Sequence, residues 1–135
     1  MDNLNVVKRL FAAVEQRDGD ALLACYTDNV RIEEAASLPY GGTFHGLDGA
    51  RRHSDLWRRW WLPFKATAWA RTMDAQFFDA GEHVFVRWRH RAVAANRQLD
   101  EPTLGLYRVA RGRVAEATMF HLDSAALLAF LGGTP

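Results

Sequence analysis

The hydrophobic positions in the first half of the chain recur at helical spacing and then alternate. In the first helix they are Leu4, Val7, Leu10, Phe11 and Val14. Asn3 can cap this helix, "RDGD" breaks it, and Asp20 can cap a short second helix. "VRIE" alternates like a strand, and Asp48 can cap a third helix, Gly49 to about Trp61, that Pro63 ends. The pattern predicts helix, helix, strand, helix.

The second half consists of long segments rich in β-branched and aromatic residues. Turn-forming stretches separate four of them, which read "KATAWARTMDAQFFDAG", "EHVFVRWRHRAVAA", "PTLGLYRVARG" and "RVAEATMFHLD". Asp123 and Ser124 can cap a last helix, "SAALLAFL", which Gly132 and Gly133 end. The order predicts one α+β domain over residues 1–135, with a four-strand meander and the helices on one face of an antiparallel sheet.

Composition and charge narrow the range of partners. The 135 residues are 49% hydrophobic and 24% charged, and seventeen basic against sixteen acidic residues leave a net charge of +1. That balance gives no argument for nucleic acid, an anionic membrane or an acidic partner, and we expect neither nucleic acid nor a membrane as a partner. The single cysteine, Cys25, cannot form an internal disulfide, and "MDNLNVVKRL" lacks the features of a signal peptide. With no apolar run near the ~20 residues of a membrane span, we expect a cytoplasmic protein.

The basic motif "RWRHR", residues 87–91, divides between the two faces of a strand. Its three arginines share one face, where we expect ion pairs with the acid of "EPT" or with Glu116, at a dimer interface or in solvent. Trp88 and His90 share the other face and are candidate contacts for a ligand. The motif therefore does not indicate nucleic-acid binding.

Three segments carry a family pattern: "VVKRLFAAVEQRDGDALLACYTDNVRIEE", "GGTFHGLDGARRH" and "RVAEATMFHLDSAALLAFLG". Together they resemble the SnoaL-like branch of the nuclear-transport-factor-2-like fold. The resemblance implies a curved antiparallel sheet wrapped around N-terminal helices into a cone with an apolar pocket, and a homodimer through the sheet faces. Relatives include polyketide cyclases, ketosteroid isomerase, limonene-epoxide-hydrolase-like enzymes, scytalone dehydratase and proteins that only bind, so the resemblance does not fix a reaction.

Glu34 is the candidate general base. When "YTDNVRIEEAA" is laid over ketosteroid isomerase without a gap, Glu34 takes the position of that enzyme's base. Strand alternation agrees, because Val30, Ile32 and Glu34 share one face and Glu33 points away. Desolvation in an apolar cone is expected to raise the pKa of Glu34 toward use as a proton shuttle. The alternative is a carboxylate that pairs with an arginine or caps a turn.

The resemblance also shows what is missing. The isomerase's oxyanion donors, a helix Tyr and a strand Asp, correspond to Leu10 and a position near Gly105. The Arg-x-Asp of the epoxide hydrolases corresponds to Arg87-Trp88-Arg89, so that arrangement is incomplete as well. Steroid isomerisation by the known mechanism is not expected.

The last strand adds polar candidates. Alternation puts Ala117, Met119, His121 and Asp123 on the expected pocket face. His121 is the natural hydrogen-bond or proton-exchange partner of Glu34, and Met119 a ligand contact. The alternatives are a core histidine at His121 and a helix cap at Asp123.

Aromatic residues supply the remaining candidates. Trp57 and Trp61, in "LWRRWWLPF", can line a pocket for a flat apolar ligand or belong to the core. Tyr40 can hold its hydroxyl over the pocket entrance or pack in the core. Phe44 is expected near the mouth, and His45 either faces the mouth or lies in solvent. Two other histidines are expected on the surface: His53 and His83. Because no spacing resembles a zinc site, we expect no metal.

Three functions remain open at this point. The first is a cofactor-free enzyme for cyclisation, isomerisation or dehydration of an apolar or aromatic carbonyl compound, with Glu34 moving a proton and His121 or Tyr40 holding the oxygen. The second is an epoxide-opening hydrolase or cyclase in which Glu34 activates water or a hydroxyl. The third is a protein that binds an apolar small molecule without chemistry.

Overall fold

The computed structural model describes residues 2–64, 73–94 and 96–132. Its helices are α1 (Asn3–Glu15), α2 (Gly19–Ala24), α3 (Gly46–Trp61) and α4 (Ser124–Leu131), with a 3-10 turn at Leu62–Phe64. Its strands are β1 (Tyr26–Glu34), β2 (Gly42–His45), β3 (Gln76–Ala80), β4 (His83–Ala94), β5 (Arg97–Ala110) and β6 (Arg113–His121). None of the helices in these ranges is long and apolar enough to cross a membrane.

The six strands form one curved sheet in the order β2-β1-β6-β5-β4-β3. Strands β3 to β6 are the predicted antiparallel meander, and the α+β class with N-terminal helices against a curved sheet is confirmed. β1 runs parallel to β6 and β2 antiparallel to β1, two pairings that the pattern did not predict. The first meander strand was predicted to begin at Lys65; residues 65–72 lie outside the described residues.

The helix starts follow polar residues close to those predicted. Asp2 caps α1 in place of Asn3, and Asp18 caps α2 in place of Asp20. α3 begins three residues earlier than predicted, after His45, which makes no side-chain capping bond. The cap of α4 is Asp123, as predicted. Where two neighbouring polar residues can accept the same amide hydrogen bond, the sequence alone does not choose between them.

The inner face of the sheet is apolar and packs against the helices. α1 contacts β3, β4, β5 and β6, and α3 contacts β1 and β2. Among the side chains that this packing buries completely are Val7, Val30, Val84, Val86, Val114 and Leu127. The period-two alternation of β4 and β5 therefore directs one set of side chains to the core and the other outward.

The outer face of the sheet carries arginine ion pairs, but their partners differ from those predicted: Arg89 pairs with Asp100 instead of the acid of "EPT", and Glu116 pairs with Arg108. Arg89 Nε lies 2.6 Å from Asp100 Oδ1, and Arg108 Nε lies 3.2 Å from Glu116 Oε2. Phe120 is about half-exposed on the same face. The predicted homodimer through this face stays a prediction.

Gly105 of β5 marks the tightest point of the inner face. A Cβ at this position would lie 2.6 Å from Tyr107 Cε2 and 2.7 Å from Trp88 Cζ3. Neither ring can retreat easily, because both are buried and the Phe11 ring packs edge-on against each of them. A glycine is therefore needed here for space.

We predict that Gly105→Ala lowers the free energy of unfolding by about 1–3 kcal/mol, because the added methyl group overpacks the core. Urea denaturation of the variant and the wild type measures the difference. Gly19→Ala is the matched control, since its Cβ would make only an ordinary contact, 3.6 Å from Arg58 Nη2. Equal stability of Gly105→Ala and wild type would contradict the packing described here.

Candidate active site

A cavity of about 190 Å³ lies between the inner face of the sheet and helices α1 to α3. On the sheet side its walls are the largely buried residues Tyr26, Ile32, Trp88, Tyr107, Ala117 and Met119. Exposed lining residues mark its mouth, between the α1–α2 junction and the end of α3: Arg17, Asp18, Arg58 and Leu62. The walls are mostly apolar, which suits an apolar or aromatic ligand.

Glu34, the last residue of β1, places its carboxylate in this wall with only 5% of its side chain exposed. Its Oε1 lies 3.2 Å from His53 Nε2, and its Oε2 lies 3.1 Å from His121 Nε2. Glu33 points the other way and pairs with Arg31 at 2.6 Å. The parity predicted for this strand is therefore confirmed.

His121 links Glu34 to a second buried carboxylate, Glu101 on β5. His121 Nδ1 lies 3.5 Å from Glu101 Oε1 and 3.1 Å from Thr103 Oγ1. The Thr103 hydroxyl donates to Glu101 Oε2 at 2.6 Å and lies 3.0 Å from His90 Nδ1. The side chains of Glu101, His121 and His90 are 1%, 2% and 4% exposed. We call Glu34, His121, Glu101, Thr103 and His90 the buried cluster.

Counting protons in the buried cluster fixes the charge of His121. The Thr103 hydroxyl has one proton, which it donates to Glu101, so it accepts from the Nδ1–H groups of His90 and His121. On the other side of the ring, His121 Nε2 faces a carboxylate oxygen of Glu34. With Glu34 ionised, that nitrogen must also carry a proton. His121 is then an imidazolium between two carboxylates.

The pKa shifts of the cluster agree with this count. Burial by itself would raise the pKa of Glu34, but the hydrogen bonds from His121 and His53 outweigh it and hold the pKa of Glu34 below its ordinary value. The pKa of Glu101 is lowered in the same way, against burial, by His121, His90 and Thr103. Burial opposes the charge on His121, yet its hydrogen bonds to Glu101 and Glu34 raise its pKa to about 9.

One expectation about Glu34 is therefore wrong. The sequence predicted that desolvation would raise the pKa of its carboxyl group, and the pKa is lowered instead. The reason is that two imidazoles meet the carboxylate, one on each oxygen. Their hydrogen bonds replace the solvation that burial removes.

The cluster also contains a set of possible metal ligands. The donor atoms of His90, Glu101 and His121 lie within 4.8 Å of one another, and two imidazoles with one carboxylate suit zinc or iron. The Thr103 hydroxyl, however, lies among these three groups and bonds each of them. A metal could bind there only after both histidines released their Nδ1 protons.

The structure brings five predicted ligand contacts to the cavity wall: Trp57, Trp61, Trp88, His90 and Met119. Trp61 is buried and stacks on the His90 ring, with centroids 5.5 Å apart and planes 14° apart. Pocket lining and core packing are thus the same surface here. The sequence left open whether Trp57 and Trp61 line a pocket or belong to the core, and in this structure the two alternatives do not exclude each other.

Four other candidates lie elsewhere within the described chain. Of the two alternatives for Tyr40, the structure shows packing and not a position over the entrance: the side chain is fully buried, and its hydroxyl accepts a hydrogen bond of 3.2 Å from Trp61 Nε1. Phe44 is buried outside the cavity lining, and His45 is exposed. Asp123 caps α4 with its side chain, while its backbone N–H donates to Glu101 Oε1 at 3.3 Å.

Sequence reasoning missed two members of the site. His53 was predicted on the surface, but its side chain is 14% exposed and bonds Glu34. A signal existed, because Ala50, His53, Trp57 and Trp61 follow one another at helical spacing of three and four. Glu101 was assigned to the arginine face, but it pairs in register with His90 and so points inward.

Comparison with solved structures shows the same fold in other proteins. A Xanthomonas campestris protein of unknown function with a cystatin-like fold has a TM-score of 0.82 at 18% identity, covering 98% of this chain and 100% of its own. A nuclear-transport-factor-2-like protein from Burkholderia xenovorans has a TM-score of 0.72 at 20% sequence identity. The match covers 97% of this chain and 95% of that protein. A candidate polyketide cyclase from Sinorhizobium meliloti has a TM-score of 0.63 at 15% sequence identity. The match covers 86% of this chain and 94% of that protein. Comparison with curated proteins finds no match.

The fold is of the nuclear-transport-factor-2-like, cystatin-like class, with helices packed against a curved sheet. Within that class the chain belongs to the SnoaL-like domain family, whose model matches residues 7–117. This confirms the family resemblance.

We predict that His121→Asn lowers the free energy of unfolding at pH 7 by about 3–5 kcal/mol, because it leaves two buried carboxylates without their cation. The raised pKa of His121 contributes stability that is complete below 6.5 and lost as the pH rises through about 9. The difference between variant and wild type should therefore shrink above pH 9. Urea denaturation at pH 6, 7.5 and 10 measures it.

His83→Asn is the control for this variant, since the His83 side chain is 36% exposed at the start of β4. It should change stability by less than about 0.5 kcal/mol at each pH. A loss in His121→Asn that is equal at pH 6 and pH 10 would contradict the charged state assigned to His121.

Proposed function

We propose that the chain is a cofactor-free enzyme that moves a proton on an apolar or aromatic carbonyl compound, with Glu34 as the general base. The observation that carries the proposal is an ionised carboxylate in the wall of an apolar cavity, hydrogen-bonded through both oxygens. The reaction types that fit are cyclisation, isomerisation and dehydration. Membership in the SnoaL-like domain family supports this range.

The lowered pKa of Glu34 suits a base that must be ready at neutral pH. The carboxylate takes a proton from the carbon next to the substrate carbonyl, and the electrons of that C–H bond form an enolate. Neutral Glu34 then returns the proton to the same or another carbon. Alternatively, the enolate carbon attacks a second carbonyl, and the alkoxide that forms takes the proton from Glu34. In a dehydration the enolate expels a β-hydroxyl group, which takes the proton from Glu34 and leaves as water.

The buried cluster gives Glu34 its protonation state and its orientation. His53 and His121 fix one carboxylate oxygen each. His121 is itself held by Glu101 and Thr103, so the ring cannot rotate away without breaking buried hydrogen bonds. Fixing a base in this way is a recognised source of rate enhancement.

The epoxide-opening alternative receives no support from the geometry. Its Arg-x-Asp motif corresponds to residues 87–89, and Arg89 forms its ion pair with Asp100 on the outer face of the sheet. The binding-only alternative predicts that removal of Glu34 changes affinity but no reaction rate. The experiment below separates it from catalysis.

We predict that the protein catalyses deuterium exchange at the α-carbon of 2-tetralone, a bicyclic apolar ketone, and that Glu34→Gln lowers the catalysed rate by at least about 100-fold. Proton NMR in D₂O measures the exchange. Glu33→Gln is the matched control and should keep the wild-type rate, since Glu33 pairs with Arg31. No exchange above the uncatalysed rate, or equal rates for Glu34→Gln and wild type, would overturn the proposal.

A further inference from the structure

Two tyrosine hydroxyls in the cavity wall have no hydrogen-bond partner among the described residues. They belong to Tyr26, which is 7% exposed, and Tyr107, which is 4% exposed. Buried hydroxyls are normally hydrogen-bonded, and leaving one unpaired is costly. By contrast, the buried hydroxyl of Tyr40 has Trp61 as its partner.

Tyr107 lies near the base rather than at the far end of the cavity. Its Cζ, the ring carbon that carries the hydroxyl, is 3.0 Å from the point where a Cβ of Gly105 would lie. Gly105 on β5 pairs with Met119 on β6, and Met119 lines the cavity. The preceding residue of β6, Thr118, pairs with Glu33 on β1, so Met119 lies at the level of Glu34. The phenol therefore leans along β5 toward the part of the sheet that holds Glu34.

The ring of Tyr107 is also fixed in place. The Phe11 ring packs edge-on against it at 5.7 Å, and the space that a side chain at 105 would occupy is filled by the Tyr107 and Trp88 rings. A donor on a fixed ring loses little conformational freedom when it binds an acceptor.

Both phenols stay protonated at neutral pH. Burial is the main cause that raises the pKa of Tyr107 and of Tyr26 well above the ordinary value, and the negative charge of Glu34 adds to both shifts. All three residues line the same cavity. A neutral phenol beside a base is a hydrogen-bond donor for an oxygen that becomes negative.

We propose that Tyr107, with Tyr26 beside it, donates a hydrogen bond to the substrate oxygen that becomes negatively charged when Glu34 takes the proton. This rests on the proposed function and deepens it. The substrate class is a carbonyl compound that passes through an enolate, whose oxygen supplies the acceptor that the two hydroxyls lack. The phenols transfer no proton; the charge stays on the oxygen until Glu34 returns the proton.

The test uses 4-nitrophenol as a probe of this oxyanion site, at a pH at which it is ionised in solution. Glu34→Gln serves as the background, because an uncharged residue imitates Glu34 after it has taken the proton. Absorbance titration measures binding. Adding Tyr107→Phe should weaken phenolate binding by about tenfold or more, as expected for the loss of a hydrogen bond to a charged group.

Tyr40→Phe is the matched control, and thermal unfolding supplies the second readout. Tyr40→Phe should bind the phenolate within twofold of the background and have a lower Tm, because Trp61 loses its acceptor. Tyr107→Phe should keep the Tm or raise it, because it removes an unpaired hydroxyl. A purely structural role for Tyr107 predicts the reverse order of Tm values.

Three results overturn the inference. The first is that adding Tyr107→Phe to the Glu34→Gln variant leaves its phenolate affinity unchanged. The second is that the Glu34→Gln variant binds no phenolate. The third is that the single variant Tyr107→Phe exchanges 2-tetralone at the wild-type rate. The first and third leave Glu34 as the base, provided that Glu34→Gln still abolishes exchange. Failure of 2-tetralone exchange in the wild type overturns the proposed function as well.

Discussion

The structure depends on one electrostatic constraint: two carboxylates are buried under an apolar cavity and share one imidazolium. Glu34 comes from β1, Glu101 from β5 and His121 from β6. A buried charge without a partner costs several kcal/mol, so the three strands must deliver these side chains to the same place. A slip of one residue in any strand would turn its charged member to the outer face. The cluster and the sheet register therefore specify each other.

The same constraint shapes the chemistry. Hydrogen bonds from two histidines keep Glu34 ionised, which makes it available as a base but lowers its basicity. Proton abstraction from carbon then needs strong stabilisation of the developing oxyanion. The unpaired hydroxyls of Tyr26 and Tyr107 in the described cavity wall fit this task. Base and donors thus complement each other.

Much of this arrangement was predictable from the sequence because it depends on local periodicity. Alternation placed Glu34 and Met119 on the inner face, and helical spacing placed Trp57 and Trp61 on one side of α3. The partners of Glu34 depend on which strand lies beside which, and no local pattern contains that information. Glu101 shows this well, since an acid in a segment opposite three arginines indicates an ion pair until the register with His90 is known.

The donors were missed for a different reason. Aligning the chain with ketosteroid isomerase compares residues position by position. The positions of that enzyme's two oxyanion donors hold Leu10 and Gly105, whose side chains have no hydrogen-bond donor. A long side chain can bring its functional group to a neighbouring position, as Tyr107 does over Gly105. Reading positions one at a time does not show this.

The central claim is that His121 is an imidazolium between Glu34 and Glu101, and nitrogen-15 NMR of the histidine rings tests it most directly. At pH 7.5 the account predicts that both ring nitrogens of His121 carry protons, and that the ring titrates near pH 9. A neutral His121 ring at pH 7.5, with one bare nitrogen, would contradict the claim. If the bare nitrogen were Nε2, the proton between His121 and Glu34 would lie on the carboxyl group, and Glu34 would not be the ready base described here.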